Sequence, residues 1–352
     1  MEEKKEMPGT LDLMTQPGFC VKENRITAVN AAAEGLFLVP GMDVMSLLLT
    51  GQDEYATFQG GCLYLSLDIC GQCRGAAVTR TPEGDIFLLD PDTESRELRS
   101  LALAGQELRK CLTNVMTTSD GLRPLAQNPQ AAEQLARLNR GLYQLLRFAN
   151  NMSDAGYRSV SHQETRNIPA LLEELFEKAA QQASHTGIAL TYSGLKESVY
   201  CLVDAEQLER AVWNILSNAI TFTPEGGTID ASLTRQGRML RLSVRDSGSG
   251  IAAGVLGNVF KRFLRQPAIE DSRYGLGLGM VFIRSAATAH GGAVLIDQPQ
   301  GGGTRVTMTL AIRQSTQPIL RSPILRVDYT GERDHSLVEL SNCLPASLYQ
   351  YE

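Results

Sequence analysis

Two asparagines four residues apart, Asn214 and Asn218, lie in a stretch of helical periodicity and project from one face of it. Paired side-chain amides there could hold a metal ion or a water against a polyphosphate. Taken alone, such a pair is more often two surface residues, so its meaning rests on its neighbours. Downstream, Asp246-Ser-Gly-Ser-Gly-Ile251 places a carboxylate ahead of Gly248 and Gly250. A carboxylate so placed can accept from an exocyclic amine while the glycine backbone approaches a flat ring closely. Gly275-Leu-Gly-Leu-Gly279 then opens a helical stretch, and glycines at a helix start leave amides free for phosphate. Gly301-Gly-Gly-Thr304 ends the series. One glycine-rich loop is weak evidence; the ordered set is strong.

Regular elements must carry these residues. Asp204-Ala-Glu-Gln207 has the form of a capping box, with Asp204 at the N-cap and Gln207 at the third helical position. The helix it starts sets Leu208, Val212, Ile215 and Ala219 on one buried stripe beside the asparagines. Leu240 to Val244 reads as a strand that delivers Asp246 at its end. Phe260-Lys-Arg-Phe263 precedes a polar stretch from Arg265 to Arg273, and the helix opened by Gly279 runs to Ala289. Arg305 to Ile312 reads as a further strand.

In this order the segments resemble the N, G1, F, G2 and terminal G boxes of the histidine-kinase ATPase domain. They are Asn214-Ile-Leu-Ser-Asn218-Ala, Asp246-Ser-Gly-Ser-Gly, Phe260-Lys-Arg-Phe263, Gly275-Leu-Gly-Leu and Gly301-Gly-Gly-Thr304. His290-Gly-Gly292 resembles the usual ending of the family's last helix. The resemblance implies an α/β sandwich of the histidine-kinase/gyrase type over residues 164–313, binding ATP and magnesium. By it Asn218 would coordinate magnesium with Asn214 beside it, and Asp246 would bind the adenine amino group. Gly248 and Gly250 would admit the ring, Thr304 would support that contact, and Gly275 and Gly277 would cradle phosphates. Val255 to Tyr274 would form a mobile lid, with Arg262 helping to close it on ATP. Phe260 and Phe263 would anchor that lid, and simple packing accounts for the two aromatics equally well. Two positions depart from the family: Thr221 replaces the usual lysine, and Arg273 replaces a glycine. Each is expected to weaken phosphate binding, unless Arg273 supplies a compensating charge.

Ahead of this region the period becomes helical. Leu98, Leu101, Leu108, Leu112, Val115 and Leu122 fall on heptad seam positions, with Gly105 and Ser119 in the gaps. Gly121-Leu-Arg-Pro124 ends that helix, and Leu135, Leu138, Leu142, Leu145, Leu146 and Phe148 mark a second. A lone antiparallel hairpin over 92–158 cannot bury both stripes, so a dimeric four-helix bundle is expected. The bland alternative is an intrachain linker packed on its neighbours.

Common members of the family carry His-Glu-Leu-Arg-x-Pro-Leu on the first hairpin helix. This chain has Gln106-Glu107-Leu108-Arg109-Lys110-Cys111-Leu112. Phosphoryl transfer needs an unshared nitrogen pair in line with the γ-phosphate, and the amide nitrogen of Gln106 is conjugated to its carbonyl. Glu107, the family's neighbouring proton acceptor, is then left with no nucleophile to activate. None of the four histidines, His162, His185, His290 and His335, sits mid-hairpin beside an acid. Two readings stay open. One is a degenerate kinase relative that binds ATP and acts through conformation or a partner. The other is an active phosphorelay kinase using an unusual acceptor or a substrate in trans. The implied partners are ATP, a second copy, and a response regulator or another histidine kinase.

Residues 18–91 alternate short strands with turns around a helical middle. Val21 to Gly35 resembles the opening of a PAS sensor domain, and Glu83 to Leu88 resembles its final strand. Cys70-Gly-Gln-Cys73 could be a thiol pair or half a metal site; with only Cys62 nearby, ordinary thiols are the simpler reading. The whole chain is therefore expected to be multidomain α+β, flanked by a short tail over 1–17 and a tail over 314–352. That last tail contains a candidate strand, Ile324 to Tyr329, and a candidate short helix after Asp334.

With 33 Lys and Arg against 39 Asp and Glu, the 352 residues carry a formal charge of −6. That balance argues against a nucleic-acid surface or attraction to anionic lipid. No run approaches the about 18 apolar residues of a membrane helix. The charged start and the odd count of seven cysteines give the expectation of a cytoplasmic protein with reduced thiols.

Overall fold

Glu23 and Asn24, at φ 51° and 62°, close a tight hairpin between β1 (Gly18–Lys22) and β2 (Arg25–Val29). In this computed structural model the described residues are 11, 14–90, 96–155, 163–260, 277–313 and 333–350. Asn30 caps α1 (Ala31–Glu34) by accepting from the Ala33 amide, and α2 (Gln52–Thr57) follows. Three antiparallel strands complete the N-terminal unit: β3 (Cys62–Ile69), β4 (Gln72–Thr81) and β5 (Gly84–Leu89). Cys70 is a turn residue between β3 and β4, Cys73 of β4 pairs with Asp68 of β3, and both thiols are free and exposed.

Strand β3 is apolar on both faces because both faces are covered. Leu63, Leu65 and Leu67 join Phe19, Tyr55 and Phe87 in one core, while Cys62 and Tyr64 enter a second, larger one.

Two long helices follow, α3 (Arg96–Leu122) and α4 (Pro129–Ala155), joined by a 3-10 turn at Arg123–Leu125. They run antiparallel. Gly105 lies against the backbone of Ala149 and Ser153, and the Ser119 hydroxyl donates to Asn139 Oδ1 at 2.5 Å. The single heptad seam expected for α3 divides in space. Ala102, Gly105, Leu112, Met116 and Ser119 are buried, whereas Val115 and Leu122 are 49% and 44% exposed. Leu138, Leu145 and Phe148 of α4 are exposed as well, so each helix has a second apolar stripe.

The remaining elements are β6 (Glu164–Asn167), α5 (Ile168–Ser184), β7 (Ala189–Ser193), β8 (Tyr200–Val203) and α6 (Ala205–Phe222). They continue as β9 (Thr228–Gln236), β10 (Met239–Asp246), α7 (Ala253–Leu256), α8 (Gly279–Ala289), β11 (Val294–Asp297) and β12 (Arg305–Ala311). Strand β11 pairs with β12 on one side and with β3 on the other. One ten-stranded sheet therefore spans both units, in the order β2-β1-β5-β4-β3-β11-β12-β10-β9-β7. Every neighbouring pair is antiparallel except β7 with β9, and β6 pairs with β8 apart from this sheet.

The end of the chain returns as α9 (His335–Glu339), capped by Asp334, which accepts from the Ser336 amide. It packs on α4, α5 and α6, with Leu337, Val338, Leu340 and Leu344 in the larger core. Tyr349 meets Tyr143 of α4 edge-on at 5.0 Å, and Asn139 donates to the Tyr349 carbonyl. The candidate strand from Ile324 to Tyr329 lies outside the described residues.

Candidate functional site

Three element ends meet at the candidate site: the second half of α6, the end of β10 and the start of α8. Asp204 starts α6 by accepting from the Gln207 amide at 3.1 Å, and Leu208, Val212, Ile215 and Ala219 seat it on the sheet. That orientation buries Asn214 and leaves Asn218, one turn later, half-buried. Asn214 donates through Nδ2 to the Arg210 carbonyl at 2.8 Å. Its Oδ1 lies 3.1 Å from where a side chain on Gly279 would begin, so the first residue of α8 rests on this amide.

Arg210 ties three helices together. Its guanidinium pairs with Asp154 of α4, donates to Asn151 Oδ1 at 3.2 Å, and lies 4.8 Å from the centre of the Phe282 ring on α8. The helix bearing the asparagines is thereby fixed to both α4 and α8.

Asp246 is buried at the end of β10. Its Oδ1 accepts from the amides of Gly248 at 2.8 Å and Thr304 at 3.1 Å. Burial pushes its carboxyl above the ordinary value, and the two backbone donors and the Thr304 hydroxyl pull the other way. A buried carboxylate held this way is an oriented acceptor for an amine. Gly248 is forced by the chain itself: a Cβ there would stand 2.4 Å from the Phe222 carbonyl that ends α6. At Gly303 it would stand 1.9 Å from the Asp246 carbonyl. The glycines thus bring α6, β10 and the loop before Thr304 into contact before any ligand is considered.

Gly277 and Leu278 lead into α8, whose N-cap Leu278 offers no side-chain bond. The amides of its first turn are thus uncapped by a side chain, the arrangement that receives anions. A magnesium ion needs oxygen ligands and keeps several waters, so an Asn218 amide oxygen beside phosphates suits it. The donor set and the uncapped helix start fit a nucleotide with its metal.

Hydrogen bonds join Asp246, Gly248 and Thr304, Asn214 touches the start of α8, Asn218 lies on α6, and Gly250 and Gly277 lie in the loops after β10 and before α8. Arg262 and Gly275, with Phe263 and Arg273, lie outside the described residues. Gln106 and Glu107 sit on the exposed face of α3, where Glu107 pairs with Lys110 at 2.6 Å. Phe260 is buried, its ring 5.2 Å from that of Tyr64 on β3.

His290 is buried, with Nδ1 bonded to the Ala286 carbonyl at 2.7 Å and Nε2 accepting from the Asp204 amide at 2.9 Å. Burial holds its pKa below the usual imidazole value, and both nitrogens are occupied. His185 is exposed at the end of α5, His335 lies 3.9 Å from Glu209, and His162 is outside the described residues.

Thr221 donates back to the Ser217 carbonyl at 2.6 Å and reaches the Cys343 thiol of the C-terminal segment. Burial pushes that thiol up to about 11, so a lysine at 221 would bring a charge to a poorly solvated place. Sequence reasoning passed over Arg210 and Arg284. The signal for Arg284 was present: it is the one charged residue in α8, Gly-Met-Val-Phe-Ile-Arg-Ser-Ala-Ala-Thr-Ala.

Residues 203–314 match the family profile described as histidine kinase-, DNA gyrase B- and HSP90-like ATPase. The chain is 28% identical over 221 residues to the uncharacterized sensor-like histidine kinase R01002 of Rhizobium meliloti, covering 60% of this chain and 42% of that protein. It is 27% identical over 241 residues to the sensor histidine kinase WalK of Bacillus subtilis, covering 64% and 38%. The chain thus spans about two fifths of the length of these curated relatives. Full-length ShkA, crystallised in complex with AMPPNP, shares the fold with a TM-score of 0.51 at 22% identity, over 62% of this chain and 46% of that one.

Proposed function

The chain belongs to the sensor histidine kinase family, and from that premise we propose that it binds ATP with magnesium but does not phosphorylate itself at the usual hairpin position. It acts instead through conformation or a partner. The observation that carries the first half is the buried Asp246 carboxylate, oriented by the Gly248 and Thr304 amides beside the uncapped start of α8. The second half rests on Gln106, whose amide nitrogen has no free electron pair to attack phosphorus.

In this reading Asp246 accepts from the adenine amine and excludes bases that lack a donor there. The first amides of α8, with Gly275 and Gly277 before them, take the phosphates, and Arg262 adds a positive charge. Asn218 contributes an oxygen to magnesium, which when bound offsets phosphate charge, while Asn214 holds α6 against Gly279. Thr304 keeps the Asp246 carboxylate in line.

The N-terminal unit serves as a PAS-type sensor, and α3 with α4 as a homodimerising hairpin. Support for the second comes from the exposed stripes of Val115 and Leu122 on α3 and Leu138 and Leu145 on α4. A response regulator, or another histidine kinase, is the expected protein partner in two-component signalling. No described helix is long and apolar enough to cross a membrane. The seven free cysteines suit a cytoplasmic site of action.

Incubation of the pure chain with γ-labelled ATP and magnesium tests the proposal. Nucleotide binding without label on the protein is expected. Acid-labile, base-stable label on any residue would overturn it in favour of an active kinase with an unusual acceptor, and the labelled peptide would name that residue.

A further inference from the structure

Helix α8 carries a buried arginine in its second turn that is held by the N-terminal unit. Arg284 pairs with Asp90, the last described residue after β5, and lies 4.9 Å from the centre of the Tyr64 ring. Tyr64 in turn donates its hydroxyl to Asp90 Oδ2 at 2.6 Å. The cluster is built into the sheet: the Asp90 amide donates to the Gly75 carbonyl at 2.8 Å, and a Cβ at Gly75 would stand 1.8 Å from the Tyr64 hydroxyl. Only glycine at 75 leaves room for that hydroxyl.

The same tyrosine also meets Phe260. Phe260 and α8 are the described elements on either side of the chain segment 261–276, and both rest on Tyr64. The N-terminal unit therefore grips the helix whose first turn faces the nucleotide site, at a point five residues from Gly279. Asp90 is also where the chain leaves that unit for α3. A shift of the exit strand cannot occur without loading or releasing Arg284, because its charge has been desolvated and needs Asp90.

We propose that Tyr64, Asp90 and Arg284 are positioning residues through which the N-terminal unit sets nucleotide affinity, an inference that rests on the ATP-binding reading above. Coupling of this kind is reciprocal, so nucleotide must also stabilise the β3–β5 side of the sheet.

The test uses the full chain and MgATP, with affinity read from the fluorescence of the single Trp213, next to Asn214 on α6, or by calorimetry. Tyr64→Phe keeps the ring against Phe260 and removes only the hydroxyl; Asp90→Asn keeps the shape and removes the charge. Each is expected to weaken MgATP binding about fivefold or more. Tyr55→Phe serves as the control, because Tyr55 donates to Asp85 inside the N-terminal core, away from this cluster. It is expected to lower the melting temperature and leave affinity unchanged. Hydrogen exchange should show MgATP protecting β3 and β5 in the parent chain and failing to do so in Tyr64→Phe. Wild-type affinity in Tyr64→Phe and Asp90→Asn, while Asp246→Ala weakens binding, would overturn the coupling and spare the nucleotide site. Wild-type affinity in Asp246→Ala would overturn the nucleotide reading itself. Equal weakening by Tyr55→Phe and Tyr64→Phe would reduce the cluster to general stability and also overturn the proposal.

Discussion

Arg147 of α4 donates from Nε to Glu339 of α9 at 3.2 Å, and the glutamate side chain is wholly buried. This ion pair joins the long-helix pair to a segment that also packs on α5 and α6. Replacing one partner strands the other's charge in the core. Arg147→Met should therefore destabilise the chain by about 3–5 kcal/mol, read by urea unfolding. Arg147→Met combined with Glu339→Leu should recover much of that loss, because no buried charge remains. A loss below about 1 kcal/mol for the single change would show that the C-terminal segment does not fasten α4.

Asp246→Ala removes the oriented acceptor and should weaken ATP binding by about 10- to 100-fold, the effect expected for a hydrogen bond to a charged group. Calorimetry with ATP and with GTP separates the contributions. The parent chain should prefer ATP, and the variant should lose that preference along with its affinity. Retained discrimination would move the base contact away from Asp246.

The second stripes of α3 and α4 predict self-association. Val115→Glu with Leu145→Glu places charges in both exposed stripes without touching the seam between the helices. Sedimentation should show the parent as a dimer and the double variant as a folded monomer. A monomeric parent chain would assign these stripes another role.

Stability should also depend on pH through His290. Its folded pKa is held below the ordinary value by burial, so the unfolded chain takes up the proton first. The contribution is complete above the unfolded pKa of about 6.5. It is lost as pH falls through the lower folded value. His290→Gln should lower stability at neutral pH and flatten the acid limb of the profile. An unchanged acid limb would place the titration elsewhere.

Local chemistry was legible where neighbours in sequence are neighbours in space. Asp204 capping α6, the buried stripe from Leu208 to Ala219, and Asp246 arriving at a strand end are all set within a few residues. That Gln106 carries an amide and no nucleophilic imidazole is likewise a fact of residue chemistry. Helical periodicity also marked α3 as apolar on a seam, but it could not divide that seam. Gly105, Leu112 and Ser119 turn to α4 while Val115 and Leu122 stay exposed, because the contact angle of the partner helix decides which side closes.

What the sequence determined by itself was the set of groups and the elements that present them. The tertiary structure decided who grips whom. Pairing of β3 with β11 joins strands far apart in the chain, and backbone hydrogen bonds carry no residue code that would announce it. The placement of Glu339 against Arg147, and of Asp90 against Arg284, follows from the same long-range closure. Buried charges can be recognised as needing partners from sequence alone, but only the fold supplies the partner.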